Sequence, residues 1–230
     1  MADAWRLAVG TLTAVRVRAP ERIDRRTARN AMFLAPLAVL PLGALTAAVL
    51  GVGQALDVPR LATGFVAVGA LALGSRALHW DGLSDTIDGL AASYDADRAL
   101  AVMRSGTSGP AGVLATLVVA GVQAAALAGL ADDALLVLVL VCLSRCALWI
   151  VCCTRVPAAR RDGLGVGFTG VVPVPLAVLG GLLLSVTGGL VALILVARAR
   201  KRFGGVTGDV MGAAVELALA TTLLTWVAVL

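Results

Sequence analysis

The most acidic stretch of an otherwise apolar chain reads His79-Trp80-Asp81-Gly82-Leu83-Ser84-Asp85-Thr86-Ile87-Asp88-Gly89. In a helix, at about 100° per residue, its aspartates fall within about 60° of one another and form one carboxylate stripe. Carboxylates that share a face repel one another unless a cation lies among them. The pattern therefore predicts a helix that presents Asp81, Asp85 and Asp88 to a divalent metal ion.

The rest of the chain has the composition of an integral membrane protein. Hydrophobic residues make up 60% and charged residues 14% of its 230 residues, and the mean hydropathy is +0.96. Soluble domains are far less apolar. We predict an all-α fold, a polytopic transmembrane bundle of about seven short helices with an N-terminal interfacial helix. The whole chain, residues 1–230, is then a single membrane domain.

Uncharged runs locate the helices along the chain. Residues 1–30 are expected to form the cytoplasmic and interfacial segment. The predicted spans are residues 30–56, 61–78, 109–131 and 134–154, followed by a final helix that opens after residue 204 and runs to residue 230. Each run is long enough, or nearly so, to cross the hydrocarbon core of a bilayer.

The uncharged run 171–197 is interpreted as a hairpin of two short helices, broken near Thr187-Gly188-Gly189. A single helix would place the basic cluster at residues 198–202 on the outer side, against the positive-inside rule. With the hairpin, residues 76–108 and 155–170 become cytoplasmic loops that carry the polar chemistry. All strongly basic loops and the acidic stretch then share one face.

The formal charge of +5 does not indicate a nucleic-acid-binding protein. The basic residues cluster at the ends of apolar runs, which is typical of cytoplasmic loops in contact with anionic lipid. We expect membrane lipid as a partner and no nucleic acid. The four cysteines lie in or at the end of one apolar run and are interpreted as small buried residues.

A second acidic motif, Gly204-Gly205-Val206-Thr207-Gly208-Asp209, continues through Gly212-Ala213 to Glu216. Asp209 and Glu216 lie two helical turns apart and share a face, with small residues beside it. Small residues let another helix approach, so this face is predicted to pack against the first acidic stripe. Two such faces at the cytoplasmic membrane surface would form a carboxylate cage that needs water, metal or both.

Several basic and hydroxyl side chains around these motifs are candidates for binding a substrate phosphate. They are Arg98, Arg104, Thr107, Arg145, Arg160 and Thr207. The Gly- and hydroxyl-rich residues 103–112 precede a helix and can present backbone N–H groups to an anion, although such a pattern more often indicates a simple turn. Arg145 lies inside an apolar run and must face an acid or a ligand phosphate, or serve packing alone.

His79 is the only histidine of the chain. Its ring can serve as a general base toward an attacking hydroxyl, but an unbroken helix points it about 160° away from Asp81. A capping or interfacial role is the alternative. Carboxylates, arginines and Gly-rich loops at a membrane surface favour phosphoryl transfer from a diphosphate, in which Mg²⁺ takes one or two carboxylates and phosphate oxygens.

These motifs resemble those of the cobalamin synthase family, the adenosylcobinamide-GDP ribazoletransferases. The likeness rests on His79-x-Asp81-Gly82-Leu83-x-Asp85-x-x-Asp88-Gly89, on Gly204-Gly205-x-Thr207-Gly208-Asp209 with Glu216-Leu217, on the Arg160 to Gly165 loop and on Leu12-Thr13. It covers nearly the whole chain. It implies a multi-pass enzyme of the bacterial cytoplasmic membrane, with its active site toward the cytoplasm.

The resemblance also implies a reaction and a set of residues. Adenosylcobinamide-GDP, a corrinoid nucleotide, would be joined to α-ribazole or its 5′-phosphate, with release of GMP and with Mg²⁺ as cofactor. By position, Asp81, Asp85, Asp88 and Asp209 would be the metal ligands and Glu216 a further candidate. Where many members have an Asp and an Arg in the Gly-rich loop, this chain has Ser105 and Thr107, so Arg98 or Arg104 would grip the diphosphate.

Two other functions remain open at this stage. A CDP-alcohol phosphotransferase that acts on lipid also groups aspartates near the start of a membrane helix, although its spacing is not matched here. A cation transporter could use the acids as an ion path, but it would distribute them through the depth of the bundle. A homo-oligomer is compatible with either function and with the transferase.

Overall fold

Helices account for almost all regular structure in the computed structural model, which describes residues 1–92 and 94–230. The first six are α1 (Ala2–Leu12), α2 (Arg25–Ala38), α3 (Leu40–Ala55), α4 (Arg60–Gly74), α5 (Leu78–Ala92) and α6 (Ala96–Val102). The remainder are α7 (Pro110–Gly129), α8 (Ala134–Leu143), α9 (Ala147–Val151), α10 (Leu164–Phe168), α11 (Val174–Leu183), α12 (Thr187–Phe203) and α13 (Gly208–Val229). The predicted all-α class is confirmed.

Four helical segments within the described residues are long and apolar enough to cross a membrane. They are Arg25–Ala55, Pro110–Gly129, Ala134–Val151 and Gly208–Val229. The bent pair α4 and α5 makes a fifth if it is counted as one span. The prediction of a polytopic helical bundle is therefore confirmed, and the predicted N-terminal helix is present as α1.

The first span begins at Arg25, earlier than the predicted residue 30. Asp24 caps α2, because its carboxylate accepts the N–H of Thr27 at 2.7 Å. The span is also interrupted at Val39, where α2 ends and α3 begins. Pro41 lies in the first turn of α3, a position at which its missing N–H costs little.

The chain turns by 94° between α4 and α5. The expected continuation of the second span through Leu78 is wrong, because α4 ends at Gly74. Arg76 and Ala77 adopt left-handed backbone conformations, with φ of 58° and 54°, and such residues cannot continue a right-handed helix. The Arg76 guanidinium anchors this turn on α1 by donating to the Gly10 carbonyl at 2.7 Å.

Helices α11 and α12 form the predicted hairpin, but its break lies at Ser185 and Val186, with φ of 57° and 62°, instead of at Thr187–Gly189. Gly189 is inside α12 and serves close packing, since a Cβ there would lie 2.6 Å from the Gly181 carbonyl oxygen. The hairpin returns its basic end to the acidic stretch. Arg202 donates to the Leu90 carbonyl, the last turn of α5, at 2.9 Å.

The fourth span is also less regular than predicted. A 3₁₀ turn at Ser144–Cys146 separates α8 from α9, and α9 ends at Val151, short of the expected Thr154. Cys153 instead forms an isolated bridge with Val172. The four cysteines are buried and free, as predicted.

Candidate active site

Helices α5 and α13 pack so closely that their contact requires glycine. A Cβ on Gly82 would lie 2.7 Å from the Asp209 carbonyl oxygen, and one on Gly212 would lie 3.0 Å from the Cα of His79. Any larger residue at either position would push the helices apart. The two acidic motifs are therefore adjacent, as the small residues beside them predict.

Three carboxylates lie where this contact opens to solution, and we call Asp81, Asp85 and Asp209 the acidic rim. Asp81 is exposed, whereas Asp85 and Asp209 are half-buried. The Asp85 carboxylate is repelled by its neighbours Asp81, Asp209 and Asp88. Within residues 1–92 and 94–230, no hydrogen bond or ion pair engages the carboxylate of Asp81 or Asp85. The rim thus carries negative charge that the protein compensates only in part.

Thr207 holds Asp209 at the start of α13. The Thr207 hydroxyl donates to Asp209 Oδ2 at 3.0 Å and accepts the N–H of Val210 at 3.3 Å, so it caps the helix. A carboxylate at a helix N-terminus is favoured by the helix dipole. The hydroxyl predicted to bind substrate therefore orients a rim carboxylate in this structure.

Arg160 is the basic residue that lies against the rim. Its Nη1 is 3.8 Å from Asp209 Oδ2, and its Nη2 donates to the Leu100 carbonyl at 2.9 Å. A bridge between Ala158 and Val206 fixes this loop beside α13. The bridge requires Gly205, where a Cβ would lie 2.5 Å from the Pro157 carbonyl oxygen.

The Arg160 guanidinium is only partly exposed and is not fully matched. Burial lowers its pKa, and the Asp209 carboxylate acts in the opposite direction. Its Nε is buried without a hydrogen-bond partner among the residues described. A guanidinium with an unmatched N–H group beside a cavity is suited to hold a phosphate oxygen.

Asp88 has a different environment from the rim aspartates, although it belongs to the same stripe. It is buried, and its two oxygens accept the N–H groups of Gly109 at 2.6 Å and Gly112 at 2.8 Å. These N–H groups belong to the start of α7, whose dipole favours a carboxylate there. The Gly-rich loop predicted to bind a substrate anion thus binds the Asp88 carboxylate in this structure. The predicted metal-ligand role of Asp88 stays a prediction, with one lone pair left on each oxygen.

Inside the bundle, next to this contact, lies a second group of polar side chains, which we call the buried polar cluster: His79, Gln123, Arg145 and Glu216. Glu216 Oε2 accepts a hydrogen bond from Gln123 Nε2 at 2.8 Å, and Glu216 Oε1 lies 3.5 Å from His79 Nδ1. All four side chains are buried. Glu216 therefore finds its partners within the bundle, and its predicted role as a metal ligand stays a prediction.

Arg145 lies in the 3₁₀ turn between α8 and α9 and is 2% exposed. Its Nη1 donates to the Val141 carbonyl at 3.2 Å and to the Ser144 hydroxyl at 2.8 Å, and Glu216 acts on it electrostatically. The expectation that it faces the bundle interior is met. It does not line the cavity beside the rim, and its hydrogen bonds go to neighbouring residues of its own segment, so its predicted role in substrate binding stays a prediction.

His79 lies within the first turn of α5, and its general-base and capping roles both stay predictions. Because α5 begins at Leu78, the ring points away from Asp81 and toward α13. It is 4% exposed and lines a cavity of about 280 Å³. Arg160, Thr207, Asp209 and Gly212 line the same cavity. One wall is therefore polar and carries both the histidine and a rim carboxylate.

The other predicted phosphate-binding residues lie outside this cavity, on α6 and on the loop that follows it. Arg104 donates to Asp162 at 2.6 Å, which joins the loop after α6 to the Arg160 loop. The Thr107 hydroxyl lies 3.0 Å from that of Ser105. Arg98 is exposed on α6, where its N–H binds the capping carboxylate of Asp95. Arg98, Arg104 and Thr107 therefore lie at the same end of the bundle as the cavity, but their partners among the described residues do not include a rim carboxylate.

The rim is chemically suited to Mg²⁺. Its donors are hard carboxylate oxygens with uncompensated charge, and Mg²⁺ typically takes one or two protein carboxylates together with water and substrate phosphate. No group of three or more His, Cys, Asp or Glu side chains in the part of the chain that is described has the geometry of a complete metal site. Among these residues, the expected carboxylate cage built from protein ligands alone is therefore not found, and Mg²⁺ held jointly with a substrate phosphate fits the donors better.

Sequence reasoning missed two residues of this region. Gln123 holds Glu216 from α7, and the available signal was a single amide in an otherwise apolar span. Asp162 lines the cavity and pairs with Arg104, but nothing in its sequence context distinguishes it from a solvated loop residue.

Fold and site together define a polytopic membrane protein with a carboxylate site between two helices at one end of its bundle. The family model described as cobalamin-5-phosphate synthase (CobS) matches residues 4–227. The chain belongs to this family, which confirms the resemblance seen in the two motifs.

Curated relatives support the same family. A Nocardioides protein named adenosylcobinamide-GDP ribazoletransferase is 75% identical over 99% of this chain and 100% of its own length. Proteins of the same name from Frankia casuarinae and a Roseiflexus species are 37% and 36% identical, over 95% and 83% of this chain and 92% and 76% of their own lengths. No solved structure matches the chain. The family that matches is therefore neither of the two alternatives, the lipid phosphotransferase and the cation transporter.

Proposed function

We propose that the protein is an Mg²⁺-dependent transferase that joins adenosylcobinamide-GDP to α-ribazole, or to its 5′-phosphate, and releases GMP. The product would be adenosylcobalamin or its 5′-phosphate. The names of its relatives and its family support this substrate pair. The observation that carries the proposal is the acidic rim, in which the carboxylates of Asp81 and Asp85 lack partners among the described residues and the incompletely matched Arg160 lies near Asp85.

In this proposal the chain binds and aligns a diphosphate without a covalent intermediate. Asp85 and Asp209, with Asp81 beside them, would hold Mg²⁺, and Asp88 would support them by fixing α5 against the start of α7. When bound, Mg²⁺ would neutralise charge on the phosphate oxygens. Arg160 would hold one of those oxygens, and Arg104 or Arg98 would extend the grip outward.

The acceptor hydroxyl oxygen would bond to the phosphorus that carries the cobinamide group, and the bond from that phosphorus to the bridging oxygen would break, releasing GMP. His79 lines the cavity and is our candidate to take the hydroxyl proton. Glu216 would orient the ring through the 3.5 Å approach to Nδ1. A cavity of about 280 Å³ is small for a ligand pocket, so we expect it to hold only the reacting portion, with the corrin ring outside.

We further propose that the protein lies in the bacterial cytoplasmic membrane with the rim toward the cytoplasm. The basic end of α12 and the Arg160 loop lie at the same end of the bundle as the acidic stretch, because Arg202 binds Leu90 and Arg160 binds Leu100. Lys and Arg are enriched in cytoplasmic loops. The opposite end has fewer basic residues, among them Arg60, which pairs with Asp132 at 2.8 Å.

The test is release of GMP from adenosylcobinamide-GDP by purified protein supplied with α-ribazole and Mg²⁺. We expect Asp85→Asn to reduce the rate by at least about 100-fold, because electrostatic stabilisation of a transferring phosphoryl group is typically worth that much. Asp133→Asn is the matched control, since Asp133 is exposed at the opposite end of the bundle and its side chain caps nothing. A rate for Asp85→Asn close to that of Asp133→Asn would refute the assignment.

A further inference from the structure

A second, larger cavity lies away from the acidic rim. It is an apolar groove of about 480 Å³ between α9, α11 and α12. Its lining includes Ala177, Val178, Leu182, Leu190 and Leu193. Val178, Leu182, Leu190 and Leu193 are more than half exposed, at 53% to 63%. The groove therefore opens to the outside of the bundle, where a membrane would provide acyl chains.

One end of the groove is basic. Arg155 and Arg200 line it, and a shallower depression next to it is shared by Arg200 and Lys201. All three side chains are exposed. In the described part of the chain, no hydrogen bond or ion pair engages their charged groups, so two guanidinium groups and one ammonium group converge without a protein anion.

The length of α11 indicates how far the groove extends into a membrane. Helix α11 has 10 residues, which corresponds to about 15 Å of rise, half of a hydrocarbon core of about 30 Å. The hairpin turns back at Ser185 and Val186. The groove therefore matches the acyl region of one leaflet, with its basic end at the level of that leaflet's head groups.

We propose that this groove binds one anionic phospholipid, with an acyl chain along α11 and α12 and the phosphate between Arg155 and Arg200. A zwitterionic lipid matches the apolar walls, but its own cation competes for the phosphate. Free phosphate matches the arginines and gains nothing from the apolar walls. The proposal does not depend on the proposed reaction, since none of these residues belongs to the rim or to the cavity beside it.

Native mass spectrometry of the full-length protein in detergent tests this directly, with phosphatidylglycerol, phosphatidylcholine and inorganic phosphate as probes. We expect one tightly retained phosphatidylglycerol and no retained phosphate. The double variant Arg155→Gln/Arg200→Gln should weaken retention about 30-fold, because each basic residue near an anionic head group contributes about a factor of five. Arg198→Gln is the matched control, as Arg198 is exposed on the same helix but does not line the groove.

A second variant tests the apolar part. Ala177→Phe places a ring in the groove and should also displace the lipid, whereas Ala125→Phe adds the same ring to an exposed position of α7 and should not. Equal retention of phosphatidylglycerol and phosphatidylcholine would overturn the proposal. Unchanged retention in the folded double-arginine variant would also overturn it, and so would retention in Ala177→Phe equal to that in Ala125→Phe. Retention of phosphate alone would show an anion site without a lipid.

Discussion

Two groups of polar side chains lie at the contact between α5 and α13, and they are compensated in different ways. The acidic rim gathers Asp81, Asp85 and Asp209 at the open end of the contact between α5 and α13, where carboxylates face carboxylates. The buried polar cluster places Glu216 among His79, Gln123 and Arg145 inside the bundle. The protein compensates the charge of the rim only in part, whereas the carboxylate of the cluster has partners within the bundle.

The difference shows that residue type and helical spacing do not by themselves predict a metal ligand. Asp209 and Glu216 share a face of α13, and both were candidate ligands on that ground. The structure distinguishes them by their partners. Asp209 accepts the Thr207 hydroxyl and lies 3.8 Å from Arg160, whereas Glu216 is 4% exposed and accepts the Gln123 amide. A buried carboxylate that is already paired gains little from a metal ion.

The largest effect we expect is loss of stability when the buried polar cluster is broken. Glu216→Ala removes the carboxylate that accepts the Gln123 amide and faces His79, and each buried polar group left unsatisfied typically costs about 1–3 kcal/mol. Thermal unfolding in detergent, followed by circular dichroism, measures it. The other glutamate, Glu21, provides the control, because its side chain is 68% exposed. A melting temperature for Glu216→Ala equal to that of Glu21→Ala would mean that the Glu216 carboxylate does not stabilise the fold.

Gly82→Ala probes the contact that joins the two regions. The added Cβ would meet the backbone of Asp209, so α5 and α13 must separate, and overpacking of this kind costs about 1–3 kcal/mol. We expect a lower melting temperature together with slower GMP release, since the rim carboxylates also move apart. Gly69→Ala on α4, where a Cβ meets nothing within 4 Å, should leave both measurements unchanged. If the two variants behave alike, the close packing at Gly82 does not determine the positions of the rim carboxylates.

Asp88→Asn sharpens the comparison within the acidic stripe itself. Its carboxylate serves the N–H groups at the start of α7, and removal of such a cap costs about 0.5–2 kcal/mol. The free energies of unfolding of Asp88→Asn and Asp133→Asn, measured by denaturant titration, should differ by that amount, because Asp133 stands before α8 without a side-chain cap bond. Identical free energies of unfolding would mean that the two N–H bonds to Asp88 contribute nothing.

Periodicity and hydropathy predicted most of the helices, the hairpin and the convergence of the acidic segments. These features follow from apolar runs, the positive-inside rule and small residues beside charged ones. The sharp turn at Arg76 and Ala77 was not predictable. Neither residue is a glycine, asparagine or aspartate, the types that favour a left-handed backbone, and the anchor of the turn is the distant Gly10 carbonyl.

The same limit applies to the site. Sequence spacing correctly grouped Asp81, Asp85 and Asp209, since a helical stripe and a close helix contact are local properties. It could not assign partners across the bundle. Asp88 finds the start of α7, Glu216 finds Gln123, and Arg104 finds Asp162, and each pairing depends on how distant segments pack.

Binding of Mn²⁺, a paramagnetic substitute for Mg²⁺, tests the central claim most directly. Purified wild-type protein, Asp85→Asn and Glu216→Gln would be titrated with Mn²⁺ in the presence of adenosylcobinamide-GDP and followed by electron paramagnetic resonance. We predict that Asp85→Asn weakens Mn²⁺ binding by at least about tenfold, the lower bound for loss of a carboxylate that orients a metal, while Glu216→Gln binds as the wild type does. Unchanged binding in Asp85→Asn, with loss of binding in Glu216→Gln, would contradict the assignment of the metal to the acidic rim.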